Sequence, residues 1–425
     1  MDRSLWAVLA GTFTLRFSTG LTGAMLAFYL ADLSEVPGSG VSGSTVALFT
    51  ATFFAAELLM SPVFGLLSDR WGHHRVMLFG PIFGGVAVVL TALTTNLVIL
   101  GGTRFVEGLS TAASVPSILG YIALATAGNE LLRGQAAARF EGATLAGLGV
   151  GFIVAPTLFD QLGPTAFYLN AVVYAVSFLI YWLGVKDPTG EREAVAGRHV
   201  GFSRYLALIR SSHVLLLAPT WIAINASIGL WMSQSLFQFA KANPAFPDQV
   251  LMRGFSSTEI TLAALAIALV FGAGLLYWGN RFKNLRRTTI ILYGILGGGV
   301  LVASGILVNH SGSLPIPVVI GGLVVAGLGL FVLAGATPAA LGLLADISER
   351  FPSDRGAIMG LYSVFLAIGQ IIGALIGGVA ADTRGIDGML LATAGLLVVA
   401  LIPLSRLREQ EHQLDGGGLG TATTQ

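Results

Sequence analysis

The sequence predicts an all-α membrane protein with twelve transmembrane helices. Of its 425 residues, 54% are hydrophobic and only 11% are charged, and the mean hydropathy is +0.80. A soluble protein of this length would carry far more polar surface. A helix needs roughly 20 mostly apolar residues to cross a bilayer. Long apolar runs are read as helices, because backbone groups cannot stay unpaired in lipid, and the alternating pattern of a transmembrane barrel is absent.

Twelve apolar segments of suitable length divide into two groups of six. The predicted spans are 5–32, 44–67, 76–97, 100–127, 138–159, 164–185, 213–240, 258–279, 288–308, 315–346, 356–381 and 386–405. The first is too long for a signal-peptide core, so we expect it to remain as a helix. A polar segment, KDPTGEREAVAGRHVGFSRY, separates the sixth span from the seventh. The predicted organisation is a six-helix bundle at 1–185, a cytoplasmic linker at 186–212, a second six-helix bundle at 213–406 and a disordered cytoplasmic tail at 407–425.

The distribution of positive charge predicts the orientation. Lys241, Arg253 and Arg384 lie on one side, and Arg16 and Arg104 lie within spans, while every other one of the 23 Lys and Arg residues lies on the side of the N-terminus. Cytoplasmic loops carry an excess of Lys and Arg. We therefore expect a multi-pass protein of the inner or plasma membrane with both termini in the cytoplasm.

The two halves of the sequence match at one constant offset from Pro116 onward and at a second, smaller offset before it, where Arg70 meets Arg281 and Arg75 meets Arg286. The matched pairs include Pro116 and Pro338, Gly120 and Gly342, Arg133 and Arg355, Gly147 and Gly369, Gly151 and Gly373, and Gly163 and Gly385. A shift of six spans preserves orientation, so the halves form a parallel repeat. Transporters built in this way hold their substrate near the bilayer midplane, between the halves. The repeat therefore predicts a transporter.

A charged turn, GLLSDRWGHHR, joins the second and third spans. It resembles the loop signature of the major facilitator superfamily, G-x-x-x-D-R-x-G-R-R/K, and the matching residues are Gly65, Asp69, Arg70, Gly72 and Arg75. His73 and His74 stand where the family usually has basic residues. The second-half copy, GNRFKNLRR, keeps the positive charge but has Asn280 in place of the acid.

Two further segments carry the resemblance, which covers roughly residues 5–406. RFVEGLSTAA resembles the arginine-containing signature of the fourth span. GLGVGFIVAP resembles the fifth-span signature of proton antiporters, with Gly147, Gly151 and Pro156 as helix-packing residues. It departs from that signature at Ala155, which replaces the glycine before Pro156, and at Leu158 and Phe159, which replace small residues. The resemblance implies the fold of this family, with two six-helix bundles around a central cavity, and it is greatest to the drug:proton antiporter branch.

The resemblance also implies that the charged turn is a cytoplasmic gate. Gly65 and Gly72 would let helices approach and the chain reverse. Asp69 would interact with the N-terminus of span eleven, near Arg355, and this contact would break as the halves rock. The alternative is that the turn only sets topology. This alternative suits Arg70 and Arg75 but not Asp69, because acids contribute little to orientation.

Four ionisable side chains lie well inside the spans: Arg16, Glu57, Arg104 and Glu107. Each would cost ~2.5–3.5 kcal/mol at the centre of a helix facing lipid, which marks it as a candidate site residue. Arg16 and Glu57 share a depth and are expected to pair, while Arg104 and Glu107 are three residues apart and can form a local pair. These pairs could simply fix helix packing, but desolvation makes buried pairs poor stabilisers. We assign them to proton coupling, because burial raises the pKa of a glutamate and a nearby arginine lowers it. A change in water access could then switch the protonation of Glu57 or Glu107.

The second half offers neutral polar groups instead of charges. The candidate substrate-binding residues are Asn225, Trp231, Gln234, Gln238, Tyr362 and Gln370. Trp231, Gln234 and Gln238 share a helical face by their spacing. Ordinary hydrogen bonding between helices would explain them equally well. As a wall without fixed charge, they would suit a large lipophilic or amphiphilic substrate.

These features predict a proton-coupled secondary transporter, an exporter of a lipophilic or amphiphilic small molecule, that works by alternating access. One rival is transport of an anionic metabolite or lipid with Arg16 as its ligand. Another is a transporter-shaped sensor that binds a partner through the polar linker. The sequence has no P-loop, nucleophile elbow, cysteine or metal-ligand cluster, so we expect no enzyme activity and no cofactor beyond the proton gradient. The expected partners are the lipid bilayer and the substrate, not nucleic acid, and the protein is expected to be monomeric.

Overall fold

The computed structural model describes residues 3–186, 214–283, 285–349 and 355–417. Within these ranges the chain forms thirteen α-helices and no strand. The helices are α1 (Arg3–Ser34), α2 (Gly43–Trp71), α3 (His73–Met77), α4 (Phe79–Ala92), α5 (Leu97–Ala125), α6 (Glu130–Leu162), α7 (Ala166–Gly184), α8 (Val214–Ala240), α9 (Ser257–Gly279), α10 (Arg287–Asn309), α11 (Ile316–Leu333), α12 (Ala336–Glu349) and α13 (Arg355–Gly417). Short 3₁₀ helices lie at Gly163–Thr165, Val250–Met252, Asn280–Lys283 and Ser311–Ser313.

Eight helical stretches of the described residues are long and apolar enough to cross a membrane. They are Gly43–Trp71, His73–Ala92, Leu97–Ala125, Gln135–Gly184, Ser257–Gly279, Arg287–Asn309, Ile316–Leu344 and Ser363–Arg408. The fourth and the last contain 50 and 46 residues, about twice the ~20 residues of one crossing. The helices α1 and α8, with 32 and 27 residues, are also long enough. Counting the two long stretches twice and adding α1 and α8 gives the twelve predicted crossings.

Two predicted spans are broken rather than continuous. The third is divided at Leu78 between α3 and α4, and the tenth is divided at Ala334 and Gly335 between α11 and α12. At the second break the Trp278 ring occupies the space beside Gly335, where a Cβ would lie 2.6 Å from the ring. Each following helix has proline as its third residue, a position where the missing N–H costs little.

The chain beyond the last predicted span is helical rather than disordered where it is described. The helix α13 continues to Gly417, and residues 407–417 belong to it. Strong helix formers such as Leu, Arg, Glu and Gln fill this segment until the glycines at 416–418. Residues 187–213, which contain nearly all of the predicted linker, and residues 418–425 of the predicted tail lie outside the described residues.

The described residues form two compact units. The first contains the described residues up to 186 together with Ser233–Ala242 and Gly254–Leu265, and the second contains the remainder. In the first unit α1 packs against α6 and α7, α2 against α5, and α4 against α5 and α7. In the second, α10 packs against α11, α12 and α13. The C-terminal end of α8, from Ser233, therefore belongs with the first six predicted spans.

Candidate functional site

The buried pair Arg104–Glu107 is the central feature of the first unit. Both residues lie on α5, and Arg104 Nη1 forms an ion pair and hydrogen bond with Glu107 Oε2, as their three-residue spacing predicts. Only 1% of Glu107 and 7% of Arg104 is exposed. A charged carboxylate this deeply buried is tolerable only because a cation and hydrogen-bond donors surround it.

Helix α2 completes the environment of Arg104. The guanidinium lies 4.8 Å from the centroid of the Phe53 ring, within the range of a cation–π contact. Gly108 allows this approach, because a Cβ there would lie 2.4 Å from the Phe53 carbonyl oxygen and 2.6 Å from Ala56 Cβ. Replacing Gly108 with any larger residue would push α2 and α5 apart and move the ring away from the arginine.

Tyr174 on α7 is a third member of the site that the sequence analysis missed. Its hydroxyl lies 3.5 Å from Glu107 Oε1 and 3.5 Å from Thr19 Oγ1 of α1. The ring is fully buried and lies against Gly84 of α4, where a Cβ would be 2.2 Å from Tyr174 Cε1. Tyr174 thus joins the carboxylate on α5 to α1.

A sequence signal for Tyr174 does exist. Asn170, Tyr174, Ser177 and Tyr181 follow one another at intervals of four, three and four residues along an otherwise apolar helix, which places them on one face. All four are buried. Asn170 donates to the Ser18 carbonyl at 3.0 Å and to Thr22 Oγ1 at 2.8 Å. We call these four residues the polar stripe of α7.

The predicted pair of Arg16 and Glu57 is not formed. Arg16 Nη1 donates to Thr111 Oγ1 of α5 at 3.4 Å, and no ion pair within 4.0 Å joins it to Glu57 in the described part of the chain. Its charge instead interacts with both Glu57 and Glu141 of α6. The prediction used only depth along each helix, whereas an ion pair also requires the two helical faces to meet. Glu141 was missed because it lies near the beginning of its predicted span.

The internal repeat is also present in the close helix contacts that glycines make in each unit. A Cβ on Gly147 of α6 would lie 2.9 Å from Arg16 Cβ, and a Cβ on Gly369 of α13 would lie 2.5 Å from Asn225 Cβ. Since Gly147 and Gly369 are a matched pair of the repeat, Asn225 occupies in the second unit the place of Arg16 in the first. Asn225 is buried and donates to the Trp221 carbonyl at 2.9 Å.

Gly151 and Pro156, the other helix-packing candidates, are both on α6. A Cβ on Gly151 would lie 2.3 Å from the Phe17 carbonyl oxygen of α1, so this glycine holds the two helices in close contact. Pro156 lies inside the same helix near its C-terminal end. The glycines of this segment therefore build the interface from which Arg16 extends.

The candidate substrate residues of the second half contact different neighbours rather than one open face. Trp231 Nε1 donates to Thr393 Oγ1 at 2.9 Å, and Gln370 lies against Gly229. Gln234 donates to the Gly43 carbonyl at 3.0 Å, and Gln238 donates to Gln234 at 3.4 Å. The side chain of Tyr362 lies outside the described part.

In the charged turn, Gly72 reverses the chain and His73 makes the side-chain contacts. Gly72 has φ 98° and its N–H donates to the Ser68 carbonyl at 3.0 Å, so the predicted reversal at this glycine occurs. His73 contacts Ser68 Oγ through Nδ1 at 3.1 Å, and its Nε2 lies 4.0 Å from Asp69 Oδ1. Gly65 has room for a methyl group, because a Cβ would meet only Pro116 at 3.7 Å, so no close approach requires it.

The other residues of the predicted gate lie at the surface of the first unit. Asp69, Arg70 and Arg75 are exposed. The predicted partner of Asp69 is the N-terminus of α13, which begins at Arg355. Residues 350–354 before it lie outside the described part, and the contact with Asp69 stays a prediction. No cluster of three or more His, Asp or Glu residues in the described ranges is arranged to hold a metal ion.

Comparison with known families identifies the chain. The model of the Major Facilitator Superfamily matches residues 8–242 and 230–417. The chain belongs to this superfamily. It is therefore an integral, multi-pass membrane protein and a transporter rather than an enzyme, and the predicted fold class is confirmed.

Individual relatives are distant but extend over the whole chain. The Quinolone resistance protein NorA of Staphylococcus aureus strain MSSA476 is 22% identical over 421 residues, covering 97% of this chain and 98% of NorA. Multidrug resistance protein 1 of Bacillus subtilis strain 168 is 23% identical and covers 80% of this chain and 82% of its own. The crystal structure of nucleoside transporter NupG has a TM-score of 0.71 at 14% identity, covering 96% and 99% of the two chains. This last similarity concerns the fold alone.

Proposed function

We propose that the protein is a proton-coupled exporter of lipophilic or amphiphilic small molecules, with Glu107 as its principal proton site. The names of its relatives, a quinolone and a multidrug resistance protein, support drug efflux. The single observation that carries proton coupling is a glutamate that is 1% exposed inside a membrane-crossing helix and is paired with an arginine.

The chemistry follows from the surroundings of this carboxylate. Burial disfavours the ionised form of Glu107, whereas the adjacent Arg104 favours it, so the two effects oppose each other. A change in water access or in the position of the arginine would then be enough to change protonation. Protonation would release Arg104 from Glu107, and the arginine would become free to move with the transport cycle.

The other groups have supporting roles in this proposal. Arg16, through its charge on Glu57 and Glu141, would adjust a second acidic region of the first unit. The neutral residues Asn225, Trp231, Gln234, Gln238, Tyr362 and Gln370 would bind substrate. Both termini would be cytoplasmic, the turn around Asp69 would gate the cytoplasmic side, and the protein would act as a monomer driven by the proton gradient without another cofactor.

One observation favours the second candidate, transport of an anionic metabolite or lipid. Arg16 is only partly buried and makes no carboxylate pair within 4.0 Å in the described residues. A guanidinium has five donors in a fork that suits carboxylate and phosphate. Most of these donors would remain available to an anionic substrate in this second proposal.

The proposal is tested in everted membrane vesicles with an imposed pH gradient. Lipophilic cations, neutral amphiphiles and organic anions are added in turn, and the collapse of the gradient is recorded for wild type, Glu107→Gln and Glu57→Gln. Asp160→Asn, which removes an exposed carboxylate from the outer end of α6, is the control. The proposal is supported if lipophilic cations or neutral amphiphiles collapse the pH gradient and this collapse is lost in Glu107→Gln but kept in the control. Collapse by organic anions alone supports the second candidate, and no collapse by any compound contradicts proton-coupled export.

A further inference from the structure

Tyr174 is held in place from both directions along α7. One turn before it, Asn170 donates to both the Ser18 carbonyl and Thr22 Oγ1 of α1. About one turn after it, Ser177 Oγ donates to the Gly11 carbonyl at 3.0 Å. All three side chains are fully buried. The position of the Tyr174 ring is therefore set by the interface of α1 and α7, and by Gly84 behind it, rather than by Glu107.

Two oxygen atoms on different helices lie at the same distance from the hydroxyl of Tyr174, and Thr22 of α1 also interacts with it. Glu107 Oε1 and Thr19 Oγ1 both lie 3.5 Å away, longer than the ≈ 2.7–2.8 Å typical of an O–H···O hydrogen bond. Thr19 donates its own proton to the Leu15 carbonyl at 3.0 Å, so its oxygen is an acceptor for the tyrosine. The hydroxyl is thus placed between a carboxylate and a neutral oxygen, without a close bond to either.

The choice between these acceptors depends on the charge of Glu107. An ionised carboxylate is the stronger acceptor, because charge-assisted hydrogen bonds are shorter and about twice as strong as neutral ones. A protonated carboxyl loses this advantage, and the hydroxyl can then turn to Thr19. We propose that Tyr174 is a positioning residue for proton exchange at Glu107, donating to Glu107 when it is ionised and to Thr19 when it is protonated. The inference rests on the proposed function and adds a route by which α1 responds to the proton.

Packing alone does not explain the hydroxyl. In the second unit, Gly298 of α10 likewise lies against a side chain of a neighbouring helix, and this side chain is Leu397 of α13. Leucine fills the same kind of helix crossing without a polar group. A hydroxyl is therefore not required by this crossing, whereas it is required to contact Glu107.

Charged groups on the neighbouring helices also affect the protonation of Glu107. Arg104 is on the same helix as Glu107 and binds its other oxygen. Arg16 of α1 reaches α5 at Thr111, one turn from Glu107, and its charge acts on Glu57 of α2 and Glu141 of α6. The α4 segment contains no ionisable residue. Of the ionisable residues of α3, His73 lies against Gly120 of α5, and His74 Nε2 contacts the Tyr181 carbonyl of α7 at 3.0 Å.

The test is infrared difference spectroscopy of the purified full-length protein through a pH series. The protonated-carboxyl band of Glu107 is identified as the band that Glu107→Gln removes. At a fixed pH, Tyr174→Phe should raise the ratio of protonated to ionised Glu107 roughly threefold, the effect of one weak hydrogen bond. Thr19→Val should lower this ratio, because it removes the acceptor used by the protonated state.

Two matched controls separate this role from packing. Tyr181→Phe removes a buried hydroxyl of the same stripe that contacts Thr12 at 3.4 Å instead of Glu107. Gly85→Ala adds a methyl group with only an ordinary contact at 3.7 Å to Tyr174, whereas Gly84→Ala displaces the ring. Tyr174→Phe and Gly84→Ala should change the band, and both controls should not.

The outcomes distinguish the inference from the proposed function. An unchanged band in Tyr174→Phe, or an equal change in Tyr181→Phe, would overturn the role of Tyr174 even if transport is proton-coupled. If Tyr174→Phe does not fold, a wild-type band in Thr19→Val overturns it. A changed band in Tyr174→Phe would support the hydrogen bond between Tyr174 and Glu107. If proton-driven flux were at the same time unaffected by Glu107→Gln, Glu107 would be rejected as the proton site.

Discussion

Gly163 and Gly385 have the same backbone conformation in the two halves of the chain. Gly163 ends α6 with φ 54° and ψ −142°, and Gly385 kinks α13 with φ 61° and ψ −142°. The repeat matched these glycines by sequence, and each lies between two successive membrane crossings. This conformation is essentially restricted to glycine. The repeat therefore preserves a specific turn and not only the order of helices.

Alanine at either turn should destabilise the protein. The strained conformation costs about 1–3 kcal/mol for a residue with a Cβ. Gly385→Ala should be worse than Gly163→Ala, because its Cβ would also lie 2.7 Å from Gln249 Oε1, while nothing lies within 4 Å of a Cβ at Gly163. The measurement is the thermal unfolding midpoint in detergent, with Gly149→Ala as control. Equal stability of all three variants would contradict the shared turn.

The close approach of α1 and α6 gives a second prediction. In Gly151→Ala the new Cβ would lie 2.3 Å from the Phe17 carbonyl oxygen, and in Gly373→Ala it would lie 2.0 Å from that of Ala226. Backbone cannot yield cheaply, so each change should cost about 1–3 kcal/mol. Gly149→Ala, with nothing within 4 Å, should not. Unfolding midpoints and the fraction of monodisperse protein report the difference, and a Gly151→Ala variant as stable as Gly149→Ala would be the contrary result.

The chain directly after α8 predicts a pH dependence of stability through Lys241. Its Nζ lies 3.2 Å from Asp32 and 3.3 Å from Glu35. Burial alone would lower the pKa of Lys241, but the hydrogen bonds and charges of Asp32 and Glu35 outweigh this and raise the pKa above its usual 10.5. A raised folded-state pKa stabilises fully below the unfolded value and loses this effect as pH rises through the folded value.

Lys241→Gln should therefore lower the free energy of unfolding at neutral pH by about 1 kcal/mol or less, as for an exposed pair, and lower the unfolding midpoint slightly. The difference from wild type should vanish only as the pH rises above 10.5, the usual value for lysine. Thermal unfolding over a pH series measures this. In an Asp32→Asn, Glu35→Gln background the same change should have no effect. A difference that disappears on acidification towards neutral pH would refute the assignment.

The sequence was sufficient where one local pattern determines one structure. The twelve crossings follow from hydropathy, and the ion pair of Arg104 and Glu107 follows from a spacing of three within one helix. The reversal at Gly72 follows from the loop signature. Each of these needs only residues that are neighbours in the chain or in a single helix.

Relationships between helices were harder to predict. Equal depth suggested that Arg16 pairs with Glu57, but the rotation of α1 directs Arg16 towards Thr111. Tyr174 was overlooked because tyrosine is not counted among costly intramembrane charges, although the polar stripe of α7 marks it. Trp231 and Gln234 share a helical face by spacing, yet they contact different neighbours. The rotation of each helix about its axis and its packing against neighbours determine these contacts, and hydropathy predicts neither.

Arg16→Lys separates the two proposed functions. Lysine keeps the charge that acts on Glu57 and Glu141 but loses the planar fork of the guanidinium. For proton-coupled export, we expect a changed pH dependence of transport with an unchanged apparent affinity for a lipophilic cation. For an anion carrier, affinity for an organic anion should fall by about tenfold or more, as expected for lost hydrogen bonds to a charged ligand. Transport rates measured against substrate concentration at several pH values make the distinction.

The most direct test of Glu107 as the proton site uses purified protein in liposomes that contain a pH-sensitive dye. An outward gradient of a compound active in vesicles is imposed, and the internal pH is followed for wild type, Glu107→Gln and Asp160→Asn. If Glu107 is the proton site, protons should enter in wild type and in Asp160→Asn, and no proton movement above empty liposomes should occur in Glu107→Gln. Proton entry in Glu107→Gln at the wild-type rate would contradict this role of Glu107.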